Sequence, residues 1–228
     1  MTDFHTHILP EIDDGSKNVE QSLEMLDVLA KQGVDTVFAT PHFYADIHTI
    51  DEFLKLRDES AKKLTKATKG GNYPEIKLGA EVLLSFDLTT MDNLDKLCIE
   101  GTNLLLLEMP YTSWSINHLN WIDHILAAYN IVPVIAHIDR YLYTHNPEII
   151  KALLDMEVMI QCNADSIVRL TTRHKVLKMA KKGQIHFIGS DCHNTTNRKP
   201  NMEKALKILK RRIGSKHINF FTDNIEMI

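Results

Sequence analysis

What most constrains the fold of this chain is where its histidines, aspartates and glutamates fall: at the ends of short apolar runs that alternate with helical patterns. Strands are predicted at 2–6, 34–40, 76–82, 103–109, 132–137, 158–163 and 185–190, and helices near 19–32, 51–68, 116–129, 147–156, 165–182 and 200–212. In the first helix, Val19, Leu23, Leu26 and Ala30 form an apolar stripe at helical spacing. Asn18 can cap its start, and Gly33 is placed to end it. The run Asn103-Leu-Leu-Leu-Leu-Glu108 has the continuous apolar character of a strand buried on both faces. Regular alternation of this kind implies a parallel sheet. Seven strands suit a closed or nearly closed barrel, with a doubly wound open sheet as the alternative.

A parallel barrel aims all its strand ends at one face. His5 and His7 lie two apart on the first strand and so project from the same side. Asp14 follows in a glycine-containing loop. His42 comes after Ala39-Thr-Pro, Glu81 ends the third strand, Glu108 the fourth and His137 the fifth, and Asp191 and His193 follow the seventh. A carboxylate such as Glu108, closing an all-apolar strand, needs a partner. These imidazoles and carboxylates suffice for two or three divalent ions at roughly four to six ligands each. With no thiolate among them, the mixture suits Mn²⁺, Zn²⁺, Fe²⁺ or Co²⁺ and argues against a structural zinc–thiolate site.

Charge then points to the substrate. Three divalent ions against four carboxylates leave a surplus of about +2, which attracts a phosphate dianion and lowers the pKa of a bound water. Arg140 follows His137 by three residues and Arg198 follows His193 by five. A guanidinium fork matches phosphate oxygens bidentately. The set is that of a phosphomonoesterase. Phe43, Tyr44, Tyr111, Trp114 and Tyr141 lie just beyond ligand-bearing strand ends, where each either stacks on a substrate ring or packs against loop backbone. His48, His118, His124, His145, His174, His186 and His217 are read as surface residues.

At 228 residues the chain fits one domain, here taken as 1–228, with 44% hydrophobic and 25% charged residues. A net charge of −4 gives no reason to expect nucleic acid. No apolar run approaches the ~20 residues that span a bilayer, and the opening Met1-Thr-Asp-Phe-His5 lacks the pattern of a signal peptide. Cys98, Cys162 and Cys192 are widely separated, which favours reduced thiols in a cytoplasm. Cys192 and Arg198 match the Cys-x5-Arg spacing of cysteine-dependent phosphatases. The intervening His-Asn-Thr-Thr-Asn lacks the glycines that bring backbone amides to phosphate, so Cys192 is read as a packed small residue.

His5-Thr-His7, Ala39-Thr-Pro-His42, Gly79-Ala-Glu81, Leu107-Glu108, Ala136-His137-Ile-Asp-Arg140 and Gly189-Ser-Asp-Cys-His193 resemble the polymerase and histidinol phosphatase (PHP) family. Within it, the chain is most similar to the bacterial metal-dependent protein-tyrosine phosphatases of capsule and exopolysaccharide loci, the CpsB/CapC type. The opening His5-Thr-His-Ile-Leu-Pro-Glu-Ile-Asp-Asp-Gly15 and the stretch from Arg198 to Pro200 resemble their first and last motifs. The resemblance implies a distorted (β/α)7 TIM-like barrel with a trinuclear site, usually supported by Mn²⁺. By matched position, His5, His7, Glu81 and Asp191 would hold one ion. Glu81 would bridge to a second held by Glu108 and His137, and Asp14, His42 and His193 would hold a third. Arg140 and Arg198 match the phosphate-binding arginines. The implied substrate is a cytoplasmic tyrosine autokinase, and a homo-oligomer is compatible with the family. The chain ends at Ile228, earlier than is usual there, which bears on the last element and on none of the ligands. Two other readings remain from the same motifs: a small-molecule phosphatase such as histidinol phosphatase, and a non-catalytic metal-binding module.

Overall fold

The computed structural model describes residues 1–214, so His217 and the ending over residues 223–228 lie outside the described residues. Strands and helices alternate in the expected order. They are β1 (Thr2–Thr6), α1 (Val19–Lys31), β2 (Thr36–Ala39), β3 (His42–Phe43), α2 (Ile50–Thr68), β4 (Glu75–Leu78), β5 (Glu81–Leu83), β6 (Leu104–Glu108), α3 (Ile116–Ala128), β7 (Val132–Ile135), α4 (Pro147–Leu154), β8 (Met159–Asn163), α5 (Ala164–Val168), α6 (Leu170–Lys181), β9 (Phe187–Gly189) and α7 (Met202–Ile213). The Asn18 side chain accepts from the Gln21 amide at the start of α1, and Gly33 follows its end at φ 80°.

All strand pairs are parallel, in the orders β1-β2-β4 and β3-β5-β6-β7-β8-β9. The expected strand 34–40 is realised over Thr36–Ala39 and followed, beyond Pro41, which has no N–H to give a ladder, by the unexpected short strand β3; the expected strand 76–82 is interrupted at Gly79. Hydrogen bonds nonetheless carry the pairing across both breaks: Gly79 N donates to Ala39 O, and Glu81 N to Pro41 O, each at 2.9 Å. At the far edge the sheet curls back on its beginning. Asp191 N donates to His5 O at 2.8 Å, His7 N donates to Cys192 O at 3.0 Å, and Thr6 and Cys192 form a parallel bridge. The molecule is a mixed α/β structure built on one curled parallel sheet.

Side-chain alternation divides the core into two layers. On β6, Leu105 and Leu107 join an outer cluster with helix residues such as Leu26, Phe53, Ile122 and Leu209, whereas Leu104 and Leu106 join an inner one. The inner cluster also holds Phe4, Phe38, Val134, Ala136 and Phe187. Phe4 stacks on Phe187 with centroids 4.0 Å apart and meets Phe38 edge-on at 5.2 Å. Glu108 shares the inward parity of Leu104 and Leu106, so the strand that builds the inner cluster delivers a carboxylate at its end.

One helix departs from expectation. The stretch 165–182 is broken at Arg169, whose backbone is extended (φ −71°, ψ 132°). Its pattern contains no glycine or proline, so periodicity alone reads through the break. Side chains of α6 make the break tenable by satisfying carbonyls at the end of α5: Thr172 Oγ1 donates to Ser166 O at 2.7 Å, and Arg173 Nε to Ile167 O at 2.8 Å. Among the described residues, no helix is long and apolar enough to cross a membrane.

Candidate metal centre

The strand-end residues converge. His5 and His7 from β1, His42 at the start of β3, Glu81 at the start of β5, Glu108 at the end of β6 and His137 just after β7 surround one point, with Asp191 and His193 after β9 and Asp14 from the loop after β1. Glu81 is the hub. Its Oε2 lies 3.1 Å from His5 Nε2, 3.2 Å from His7 Nε2 and 3.1 Å from His42 Nδ1, while its Oε1 is 2.8 Å from His137 Nε2. His137 Nε2 is also 3.3 Å from Glu108 Oε1. Asp14 Oδ1 is 3.2 Å from His193 Nε2 and 3.4 Å from His42 Nε2, and Asp191 Oδ1 is 3.6 Å from His7 Nε2. Three groups bring their ligand atoms close enough to share an ion: His5, His7 and Glu81; His42, Glu81 and Glu108; and His7, Asp14, His42 and His193.

Whether this donor set suits divalent cations is decided by its polar atoms. Glu81 Oε2, His42 Nδ1 and His193 Nε2 are buried and make no hydrogen bond, although other ligand atoms stand within 3.1–3.2 Å of each. His5 Nε2 and His7 Nε2 face each other at 3.1 Å. Buried polar atoms left without partners are costly, and a shared cation satisfies all of these at once. The donors therefore fit such ions. The electrostatics agree. Burial opposes charge on Glu81, yet the imidazoles of His5, His137 and His7 hold its carboxyl well below the usual range. Burial likewise opposes charge on His7, but Asp13 and Glu81 carry it up to about 10.

Asp13 escaped the sequence reading, which took only the second member of the Asp13-Asp14 pair. Asp14 is 63% exposed on its side chain, whereas that of Asp13 is 5% exposed. Asp13 Oδ2 lies 2.7 Å from His7 Nδ1 and accepts from His42 N at 3.1 Å. It thereby fixes the His7 ring and leaves Nε2 turned to the centre. Gly15 folds this loop over His7. A Cβ there would stand 2.3 Å from His7 O, so only glycine fits.

The strand end that gave no ligand also takes part. Gln161 and Asn163 on β8 alternate with outer-cluster Ile160 and Cys162. Gln161 Oε1 accepts from His137 N, and Asn163 Nδ2 donates to Asp191 Oδ2 at 2.8 Å. Two polar residues at period two in an otherwise apolar strand were the available signal. The residues they secure are both left-handed, His137 at φ 30° and Asp191 at φ 52°. Such positions cost about 1–3 kcal/mol and persist only where the surroundings fix them. Gly189 provides a second close approach, since a Cβ there would lie 2.5 Å from His5 Cβ.

Both arginines reach the centre from one side. Arg140 is bonded through Nη2 to Asp191 Oδ2 and donates from Nη1 to the Tyr111 hydroxyl at 2.9 Å. Arg198 Nη2 donates to Asp191 Oδ1 at 2.8 Å, and its Nη1 to Asp14 Oδ2 at 3.5 Å. Of the five aromatic residues, Phe43, Trp114 and Tyr141 are buried and belong to the core. Trp114 Nε1 donates to Pro110 O and Tyr141 OH to Met109 O, so both fasten a loop. Tyr44, which stacks on His42, and the exposed Tyr111 remain at the mouth.

The histidines read as surface residues divide as well. His124 and His174 are exposed, whereas His48, His118, His145 and His186 are half-buried. His118 Nδ1 accepts from Ser115 N at the start of α3, and His186 Nδ1 from Ile160 N. Helix and strand termini offer backbone groups that such rings satisfy, a use invisible in composition. Cys192 is fully buried, and burial pushes its thiol well up, which leaves no thiolate to attack phosphate.

Comparison with known proteins places the chain in a family. A family model described as capsular polysaccharide synthesis, CpsB/CapC, matches residues 1–228. The chain is 30% identical over 242 residues to the tyrosine-protein phosphatase CpsB of Streptococcus pneumoniae, covering 98% of this chain and 96% of that protein. It is 29% identical to CpsB of Streptococcus agalactiae serotype V over 240 residues, covering 100% and 98%. Among solved structures it superposes with a TM-score of 0.80 on one described with YwqE from Bacillus subtilis and CpsB from Streptococcus pneumoniae as unique metal-dependent tyrosine phosphatases. That match has 26% identity and covers 100% of this chain and 93% of the other.

Proposed function

The chain belongs to the CpsB/CapC family of capsular polysaccharide synthesis, and from that premise we propose that it is a metal-dependent protein-tyrosine phosphatase. Its substrate is an autophosphorylated bacterial tyrosine kinase, met in the cytoplasm, in the control of capsule or exopolysaccharide. The observation that carries this reading is Glu81: one buried carboxylate within 3.2 Å of four imidazoles from three different strands, with two guanidiniums alongside the centre. We read β2 with β3, and β4 with β5, as single staves of a distorted (β/α)7 barrel forming one PHP-type domain over 1–228.

His5, His7, Glu81 and Asp191 would hold one ion, Glu81, Glu108 and His137 a second, and Asp14, His42 and His193 a third. The grouping of His5 and His7 with Glu81, and of His42 with Glu81 and Glu108, supports Glu81 as the bridging ligand. Mn²⁺ is the metal we favour, since the donors are imidazole and carboxylate only. Bound divalent cations supply Lewis acidity to phosphate oxygens and activate water at neutral pH.

The chain's own groups do the rest. Arg140 and Arg198 converge on Asp191, where their forks can bind phosphate oxygens bidentately and stabilise charge as the ester bond breaks. Asp13 and Gln161 hold His7 and the His137 backbone in place. The leaving phenolate needs little protonation help, because the pKa of tyrosine is about 10.

The test is hydrolysis of a phosphotyrosine peptide and of histidinol phosphate by chelator-stripped protein, with and without Mn²⁺. Turnover of the peptide that appears only with metal is expected. Preference for histidinol phosphate would move the protein to the small-molecule phosphatases, and equal activity in stripped protein would remove the metal mechanism. Arg198→Ala is expected to keep its metal content and lose activity by about 10²-fold or more.

A further inference from the structure

Three cavities border the centre, and their walls differ in chemistry. One, of about 330 Å³, reaches it through Asp191, Arg140 and Arg198 and is otherwise lined mainly by polar and charged groups such as Asp165, Arg169 and Lys199, with Tyr143 the one aromatic among them. A second, of about 450 Å³, touches it only through Arg140. The third, of about 440 Å³, shares Asp14 and His42 with the centre and is walled by Tyr44, Ile47, Phe53 and Leu56. Ile47 is 61% exposed and Leu56 45% exposed, although both are large and apolar. Tyr44 lies over the His42 ring, with centroids 5.5 Å apart and planes 22° from parallel.

We propose that this third cavity is the slot for the substrate's phenyl ring, and that Ile47, Leu56 and Tyr44 set a preference for aryl over alkyl phosphates. The inference rests on the phosphatase reading above and adds to it the residues that select the alcohol half of the ester. A phosphate held at the centre leaves the ring one bond away, so the ring must enter a cavity that shares walls with the ligands. In the first cavity it would desolvate Asp165, Arg169 and Lys199 without offering them hydrogen bonds. In the third, beside Asp13, Asp14 and His48, it meets the aliphatic Ile47 and Leu56 and a stacking partner already aligned on a ligand. Phe53, fully buried, gives the slot a fixed floor, and the exposed Ile47 and Leu56 give it a rim that a ring can cover.

The experiment uses the full chain loaded with Mn²⁺ and the double variant Ile47→Ala/Leu56→Ala, with Tyr111→Ala as a comparison. Both altered leucine and isoleucine positions are partly exposed and outside the ligand set, so metal content and Tm should stay at the wild-type values. For a phosphotyrosine peptide, kcat/KM should fall about 10-fold in the double variant, while glycerol phosphate turnover should not change. Binding of phenylphosphonate, tighter than that of methylphosphonate in the wild type, should lose its advantage in the same variant. Equal effects on aryl and alkyl substrates, or no effect with the advantage abolished instead by Tyr111→Ala, would overturn the assignment. A wild type that hydrolyses no monoester would refute the phosphatase reading. The slot would then stand or fall on the two phosphonates, and equal affinity for them would refute it.

Discussion

The inner face of the sheet is built as two layers that meet within single strands. Along β6 the inward positions run Leu104, Leu106, Glu108; along β8 they run Met159, Gln161, Asn163. The lower positions belong to an apolar cluster around Phe4, Phe38 and Phe187, and the upper ones to the carboxylate–imidazole centre. Both layers are buried, yet they are held by different forces. Apolar contacts are non-directional and numerous, so one side chain can partly stand in for another. In the centre the polar atoms face particular ligand atoms, several of them without a hydrogen bond, so a lost donor removes a specific place for a shared cation. Substitutions should therefore separate the layers: changes below cost stability, and changes above cost metal and activity.

The sharpest separation is expected from Glu81→Gln, which keeps the shape and removes the charge that meets four imidazoles. Metal content should fall, and phosphotyrosine hydrolysis should drop by about 10³-fold or more. The variant's Tm should also cease to depend on Mn²⁺, whereas that of the wild type should rise on metal addition because the ion binds only the folded chain. Phe187→Ala makes the opposite case. Loss of its stacking on Phe4 should cost about 3–5 kcal/mol in denaturant unfolding, with activity per folded molecule retained. If Phe187→Ala lost metal at full stability, the two layers would not be separable.

Asp13→Asn should sharpen the upper layer's definition, because it alters a residue that holds a ligand without being one in the proposed set. Metal affinity, read by titration, should weaken by about 10–100-fold while circular dichroism is unchanged. The smallest effect belongs to Leu106→Met, a volume-conserving change in the inner cluster. It should cost less than about 1.5 kcal/mol and leave turnover alone.

The same contrast explains how much of the molecule is legible in its sequence. Strand positions and the convergence of His5, His7, His42, Glu81, Glu108, His137, Asp191 and His193 could be read because alternation fixes where strands end and parallel topology aims those ends together. What escaped reading depended on geometry within a few residues. Asp13 and Asp14 are neighbours with the same chemistry, and only the fold of the loop around Gly15 turns one inward and leaves the other exposed. The helix break at Arg169 is stabilised by Thr172 and Arg173 side chains, for which periodicity has no signature. Trp114 and Tyr141 sit beside ligands in sequence but fasten a loop through Pro110 and Met109 carbonyls. Gln161 and Asn163 also went unread, although two polar residues at period two in an apolar strand were a signal for them.

The most direct test of the centre is anomalous diffraction at the manganese edge from a crystal of the Mn²⁺-loaded protein. Peaks are expected within coordination distance of Glu81, one towards His5 and His7 and another towards Glu108 and His137, with a third near Asp14, His42 and His193. A fully loaded protein whose map carries no peak beside Glu81, or carries peaks only elsewhere, would contradict the assignment of these residues as a metal centre.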